Sequence, residues 1–346
     1  MAISPTGQYR ERLKRLLPPA AFEPSPRKGA WLLLHVCVAL ACYAAIGRSE
    51  RLWDIPLYAL LAGNSVACVG VLLHEVGHYL IVRSRPLKVT VELLCWAMLF
   101  VPRGVWVVFH NAHHARTNTA GDPDRPFIVS ERSRATSLYS GLFYPSRENV
   151  YFKPLIGTRY VLYLAQHLAA ALLLGSGRKP SALTATVSFS RRRRLLLLAE
   201  LAAVALVQCA VFLLAGASPY RFLWTTPASV CVASAIISSY HFTEHFLRPV
   251  GAVCDPLRHT TSVKVWRFFD VMYFNLSYHT EHHLFPGMNS DYYPSLSRIL
   301  EEQYADSYER LDFREAWRRL WDGDAFKEDP PPAGGAARPL HTEARI

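Results

Sequence analysis

The chain has 346 residues, of which 51% are apolar, and its formal net charge is +11. This apolar content is typical of a membrane protein with a substantial polar part, and it argues against two ordinary soluble domains. The seven cysteines form no C-x-x-C pair, which argues against a zinc ribbon or a disulfide framework.

Four apolar segments dominate the chain after a basic, proline-interrupted stretch, residues 1–29, which is predicted to be a cytoplasmic N-terminal segment. Each segment approaches the length of about 20 residues that an α-helix needs to cross a bilayer. The predicted spans are residues 30–47, 55–75, 195–216 and 222–240. Two shorter segments, 87–102 and 160–175, are predicted to be re-entrant or to lie on the membrane surface, with a third membrane hairpin as the alternative.

Basic residues are distributed unevenly about these spans. The two loops on one side carry only three of the 38 Lys and Arg residues, namely Arg48, Arg51 and Arg221. Positive charge accumulates on the cytoplasmic side of membrane proteins, so both termini are predicted to lie in the cytoplasm, at a bacterial inner membrane or the endoplasmic reticulum of a eukaryote. The run Arg191–Arg194 is accordingly expected to contact anionic lipid headgroups, and no nucleic-acid partner is predicted.

The predicted fold class is therefore all-α, with four transmembrane helices and a cytoplasmic helical cap. Residues 30–326 would form one membrane domain, in which residues 76–194 and 241–326 make the cap. Residues 327–346 are rich in proline, glycine and alanine and are predicted to be a disordered tail.

Most of the fourteen histidines fall into four short clusters. In chain order these are H-E-V-G-H (His74, His78), H-N-A-H-H (His110, His113, His114), H-F-T-E-H (His241, His245) and H-T-E-H-H (His279, His282, His283). Residues i, i+3 and i+4 share one helix face, so each H-x-x-H-H box is expected to present three imidazoles to one point. Eight or nine imidazoles suit two metal ions, because one tetrahedral zinc needs at most four ligands. His35 and His167 are expected to be packing residues, and His259 an ordinary surface residue.

The predicted topology brings these clusters together. The second and fourth spans both run towards the cytoplasm, so His74, His78, His241 and His245 would reach the same membrane face. The two H-x-x-H-H boxes lie in segments predicted to be cytoplasmic. All four clusters are therefore expected to converge on one site at the membrane boundary.

At these boxes the chain resembles the membrane fatty acid desaturase/hydroxylase superfamily. The likeness runs from about Leu73 to Leu300 and includes H-N-A-H-H-A-R-T-N-T-A-G-D-P-D and H-T-E-H-H-L-F-P. The resemblance implies a centre of two non-haem irons that uses O2 to remove hydrogen from an unactivated C–H bond. We call H-E-V-G-H, H-N-A-H-H and H-T-E-H-H the first, second and third boxes. The implied ligands are the eight histidines of these three boxes with His245 as a ninth, and His241 is a second-line candidate.

Polar residues beside the boxes are candidates for tuning the ligands. Carboxylates that accept the free N–H of a ligand imidazole fix its orientation, and Glu75, Asp122, Asp124, Glu244 and Glu281 are placed to do so. Asn275 lies four residues before His279 and is expected to hydrogen-bond a metal-bound water.

The reaction favoured by the resemblance is desaturation of a fatty acyl chain or a related lipid. The chain contains no signature of a haem, flavin or ferredoxin domain, so a separate donor of the ferredoxin or cytochrome b5 type, with its reductase, is expected to supply electrons. A hydroxylase or ketolase acting on a lipid or carotenoid is the alternative within the superfamily. An intramembrane zinc protease that uses Glu75 as its base is a more distant alternative, and a non-catalytic relative is a third.

Overall fold

The computed structural model describes residues 5–119, 122–124, 142–143, 145–173 and 189–322. Within these residues the chain is mostly helical, with one small parallel sheet. In chain order the helices are α1 (Pro5–Lys14), α2 (Arg27–Arg48), α3 (Asp54–Gly77), α4 (Arg85–Met98), α5 (Arg103–Arg116), α6 (Phe152–Leu155), α7 (Arg159–Leu173), α8 (Arg191–Leu214), α9 (Pro219–Leu223), α10 (Thr226–His245), α11 (Pro256–His259), α12 (Arg267–Met272), α13 (His279–Leu284), α14 (Tyr293–Gln303) and α15 (Phe313–Trp321). Strands β1 (Ser262–Lys264) and β2 (Arg310–Asp312) pair with each other.

Among the described residues, four helical segments are each long and apolar enough to cross a membrane, in agreement with the four predicted spans, and the bent pair α4 and α5 would add a fifth if it were one span. The four segments are α2, α3, α8 and the segment Pro219–His245, which joins α9 to α10. At 1.5 Å per residue, helices of this length extend about 33–40 Å and exceed a hydrocarbon core of about 30 Å. The helices α2 and α8 begin three to four residues earlier than the predicted spans, because Arg27, Lys28 and Arg191–Arg194 continue the helix beyond the apolar run.

The segment predicted to be re-entrant or surface-lying, 87–102, forms α4 and the turn that follows it. The axes of α4 and α5 differ by 101°, which is the geometry of a re-entrant loop or of one broken span. Pro102 precedes α5, and Phe100 in the turn has a φ of 63°. Gln208 of α8 donates hydrogen bonds to the carbonyls of Ala97 and Met98, so the last turn of α4 is satisfied from within the bundle.

Helix α3 lies between α2 and α10 and is the central element of the bundle. Its residue Gly63 lies so close to α10 that a Cβ atom there would be 2.4 Å from the Cβ of Val232. This close approach aligns the C-terminal end of α3, at His74 and His78, with the C-terminal end of α10, at His241 and His245.

The N-terminal segment is part of the folded protein at the histidine end. Leu13 and Leu17, from α1 and the turn after it, are buried against Leu284 of α13 and Leu296 of α14. Arg10 Nε also donates to the carbonyl of Leu284 at 2.5 Å. The predicted disordered tail, residues 327–346, lies outside the described residues.

Candidate metal centre and apolar cavity

The box histidines occupy the ends of four different helices. His74 lies in the last turn of α3 and His78 caps it, while His110, His113 and His114 lie in the second half of α5. His245 ends α10, and the short helix α13 carries the last box. The helical geometry of α5 and α13 sets the spacing of the imidazoles within each box, and the packing of the four helices brings the histidines together.

Nine of these histidines form two groups of converging ring nitrogens. The first group contains His74, His78, His110, His114 and His282. The second group contains His113, His245, His279 and His283. Within each group the ligand atoms lie within 4.8 Å of one another.

The helical boxes therefore do not present all three imidazoles to one point, and that expectation is wrong. In each H-x-x-H-H box the i and i+4 histidines join one group and the i+3 histidine joins the other. At about 100° per residue, positions i and i+4 differ by only about 40° around a helix, whereas i+3 and i+4 differ by about 100°. One helix can thus serve two neighbouring sites.

The spacing of the ring nitrogens fits a shared cation better than a hydrogen-bond network. His114 Nε2 lies 3.0 Å from His110 Nε2 and 2.9 Å from His282 Nε2. Each imidazole nitrogen has one in-plane position, which either donates or accepts, so it cannot bond both neighbours. Nitrogens bound at about 2.0–2.1 Å to one metal lie about 3 Å apart when the bonds are perpendicular.

The second group shows the same spacing. His279 Nε2 lies 2.7 Å from His245 Nε2 and 3.0 Å from His283 Nε2, and His283 Nε2 lies 3.3 Å from His113 Nε2. Burial lowers the pKa of His279 to about 3 and also lowers the pKa of His282 and His283. These imidazoles are therefore neutral near pH 7, with lone pairs available to a metal.

An apolar cavity of about 180 Å³ opens onto both groups of histidines. Helices α3 and α10 form its walls with small and aliphatic residues such as Val66, Gly70 and Ala233. Trp96, Trp106 and Tyr240 also line it.

A family model described as "Fatty acid desaturase" matches residues 51–314, which is most of the chain. The chain belongs to the fatty acid desaturase family. The matched region contains all nine histidines of the two groups. The resemblance indicated by the histidine boxes is therefore confirmed.

The individual proteins that match the chain share low sequence identity with it. The chain is 24% identical over 190 residues to the sn-1 acyl-lipid omega-3 desaturase (ferredoxin) of Synechocystis sp., a match that covers 52% of this chain and 51% of the relative. It is 31% identical over 104 residues to the sn-1 oleoyl-lipid 12-desaturase of Picosynechococcus sp., covering 30% and 29% of the two chains. It is 29% identical over 133 residues to the Delta(12)-oleate desaturase of Trichosanthes kirilowii, covering 36% and 35%. The chain thus spans about half the length of the first relative and about a third of the other two.

Two of the predicted carboxylates lie within hydrogen-bonding distance of the Nδ1 atom of a box histidine. Asp122 Oδ1 lies 2.8 Å from His113 Nδ1, and Asp122 Oδ2 accepts the backbone N–H of Asn118. Glu244 Oε2 lies 3.2 Å from His279 Nδ1. Such contacts leave Nε2 facing the centre of the group.

Asp124 makes a longer contact with the ring of His113. Asp124 Oδ2 lies 3.5 Å from His113 Nδ1, and Asp124 Oδ1 accepts the hydroxyl of Tyr163. The other predicted neighbours bind elsewhere. Glu75 is ion-paired with Lys28, and Asn275 donates to the carbonyl of Ser290 at 2.9 Å. Glu281 accepts hydrogen bonds from Ser262 and Tyr308, both at 2.5 Å, so it holds α13 in place from the side away from the ring nitrogens.

His241 and His259 differ from the sequence expectations. His241 lies outside both groups, with its ring 4.9 Å from that of His245, and it lines the cavity. His259 is only 2% exposed, because α11 packs beneath α13. Its carbonyl accepts a hydrogen bond from Asn118 at 2.6 Å.

Two further partners of the box histidines were missed from the sequence. The hydroxyl of Tyr293 lies 3.1 Å from His282 Nδ1, and Thr117 Oγ1 lies 3.1 Å from His283 Nδ1. Thr117 stands four residues after His113, about one helical turn away, and this spacing is a signal that could have found it. Tyr293 stands ten residues after the third box, and only the fold brings it back.

Proposed function

We propose that this desaturase-family protein is an O2-dependent di-iron enzyme that introduces a C=C bond into the acyl chain of a membrane lipid. The observation that carries the proposal is that histidines of both imidazole groups line one apolar cavity. The names of the relatives, which are acyl-lipid and oleate desaturases, support this substrate class. "Ferredoxin" in the name of the Synechocystis relative supports a separate iron–sulfur electron donor.

The proposed ligands are the nine histidines of the two groups. One iron would be held by His74, His78, His110, His114 and His282, and the other by His113, His245, His279 and His283. Imidazole is a ligand that suits iron, and nine neutral imidazoles give two sites without a protein carboxylate in direct contact. Two bound irons would supply the oxidising power from O2 that removal of hydrogen from an unactivated C–H bond requires.

The residues of the chain hold and orient the reacting groups. Asp122 and Glu244 keep the ring protons of His113 and His279 on Nδ1. The apolar walls of the cavity exclude water and align the acyl chain, while Trp106 stacks on the ring of His110 at 4.5 Å and restricts its rotation. The selectivity for one C–C bond would then follow from the distance between the cavity mouth and the histidines.

The histidine end of the bundle is proposed to face the cytoplasm. The loops at the opposite end carry Arg48, Arg51 and Arg221 as their basic residues, and the positive-inside tendency supports this orientation. Both termini and the electron donor would lie on that side, with residues 76–194 and 241–326 as the cap.

The arrangement does not favour a zinc protease. His74 and His78 share their group with histidines of both H-x-x-H-H boxes, which a protease does not need. The carboxylate of Glu75 is bound to Lys28 and Ser290, so it is not available as a peptidase base.

Metal content and lipid products test the proposal together. Protein purified in detergent from iron-replete cells should contain about two irons per chain. The double variant His113→Ala/His282→Ala should lose them, while His167→Ala should keep them, because His167 is equally buried but lies outside both groups. Membranes of expressing cells, supplied with a ferredoxin and its reductase, should gain unsaturated acyl chains.

Three results would contradict the proposal. One zinc per chain that survives the double change but is lost in His78→Ala would favour the protease. Hydroxylated or keto products would favour the alternative reaction of the superfamily. Full iron content without any new lipid product in the supplied system would favour a non-catalytic relative.

A further inference from the structure

The segment between β1 and the third histidine box exposes a cluster of large apolar side chains. Trp266 is 76% exposed, Phe268 52%, Phe269 39% and Val271 69%. Contiguous exposed apolar surfaces of this kind mark contact sites. This segment lies outside the four candidate spans, so its exposure is not explained by them.

The contacts of this segment place it beside the membrane helices. The hydroxyl of Tyr273 donates to Asn64 Oδ1 at 2.8 Å, and the thiol of Cys68 donates to the carbonyl of Met272 at 3.5 Å. Asn64 and Cys68 belong to α3, and Cys68 lies about 9 Å along the helix axis from His74, towards the middle of the span. The ring of Phe274 also lies 6.5 Å from that of Trp31 on α2.

The chemistry of the outer face fits the boundary between lipid headgroups and acyl chains. Lys264 and Arg267 are exposed among the aromatic residues, and Asp270 turns back to accept the hydroxyl of Ser277. Aromatic rings flanked by basic side chains are characteristic of helices that lie in this boundary, with the cations near lipid phosphates. The exposed Trp31 continues the same surface onto α2.

The inner face of the segment borders the apolar cavity. Leu276, two residues after Phe274, lines the cavity directly, and the ring of Tyr273 lies 5.9 Å from that of Tyr240, which also lines it. The segment therefore stands between the cavity and the exposed outer surface.

We propose that Trp266–Phe274 is a membrane anchor that inserts into the headgroup–acyl boundary of the bilayer and forms the lipid-side wall of the cavity. An acyl chain would then enter the cavity from the bilayer beside this segment, and this second part depends on the proposed function. The anchor is continuous with β1 on one side and the third box on the other. It therefore ties the position of the metal-binding helix α13 to the membrane surface.

Fluorescence quenching in liposomes tests the anchor independently of any reaction. The fluorescence lost in Trp266→Phe measures the contribution of Trp266, and Trp31→Phe gives a reference tryptophan on a candidate span. In phosphatidylcholine brominated near the headgroup end of its chains, the Trp266 contribution should be quenched as strongly as that of Trp31. If aqueous iodide quenches the Trp266 contribution and brominated lipid does not, the anchor is refuted.

The double variant Phe268→Ser/Val271→Ser tests whether the anchor forms the lipid-side wall of the cavity. Both side chains are exposed, so the fold and iron content should stay unchanged, which metal analysis checks. Quenching of Trp266 by brominated lipid should fall, and turnover of liposomal acyl chains should fall several-fold. Wild-type turnover in this variant would overturn lateral entry. Because quenching needs no turnover, a failure of the proposed function is distinguishable from a failure of the anchor.

Discussion

Replacing Lys28 by Met should destabilise the fold strongly, because this ammonium group compensates a carboxylate buried beside the first histidine box. Lys28 Nζ lies 2.8 Å and 3.0 Å from the two carboxylate oxygens of Glu75, and both side chains are 5% exposed. The same nitrogen donates to Asn289 Oδ1 at 2.8 Å and to Ser290 Oγ at 2.6 Å. One cation thus connects α2, α3 and the loop after the third box.

The expected cost follows from the burial of this pair. Removing one partner of a buried ion pair costs about 3–5 kcal/mol, since the other charge stays buried without compensation. Replacing both partners by apolar side chains of similar size is often close to neutral. The double variant Lys28→Met/Glu75→Met should therefore be more stable than Lys28→Met by about 2 kcal/mol or more.

A double-mutant cycle measures this coupling. The free energy of unfolding of wild type, both single variants and the double variant can be obtained by titrating SDS into detergent micelles. The exposed Lys14→Met is the matched control and should change stability by less than about 0.5 kcal/mol. If the costs of the two single changes simply add in the double variant, the reasoning from the buried pair is refuted.

Three further changes probe the site and the bundle. Tyr293→Phe removes the hydroxyl that contacts His282, so iron should bind about 10–100-fold more weakly in a chelator competition. Tyr292→Phe is the control, and equal iron affinities of the two variants would contradict a role of Tyr293 in orienting His282. Gly63→Val should cost about 1–3 kcal/mol or more by SDS unfolding, because its side chain would overlap α10, whereas Gly287→Ala meets open space and should cost little. Removing iron with a chelator should lower the unfolding temperature of the wild type and leave that of the histidine double variant unchanged.

The elements of this fold that depend on local pattern were readable from the sequence. Apolar runs of about 20 residues predicted the four candidate spans, because a helix must be that long to cross a bilayer. The i, i+3, i+4 spacing of histidines predicted that the H-x-x-H-H boxes lie on helices, which they do, but the expectation that each box presents three imidazoles to one point is wrong. The exact helix ends were harder to predict from the sequence, because Arg191 and Lys28 are polar yet belong to their helices.

The partners of buried polar groups were not readable, because they come from distant parts of the chain. Glu75 was expected to orient a metal ligand, but in the fold its carboxylate accepts hydrogen bonds from Lys28, which lies 47 residues earlier. Glu281 likewise binds Tyr308 and Ser262. A buried carboxylate binds whichever donor the packing brings near, and sequence proximity to a histidine does not decide that.

By itself the sequence determined the four candidate spans, the family and the histidines that converge, because these follow from hydrophobic length and from residue spacing. Only the tertiary structure decided how the histidines divide. His113 and His114 are adjacent in the chain yet belong to different groups, and so do His282 and His283. Adjacent residues of a helix point about 100° apart, so the packing of α5 and α13 against α3 and α10 determines which group each imidazole joins.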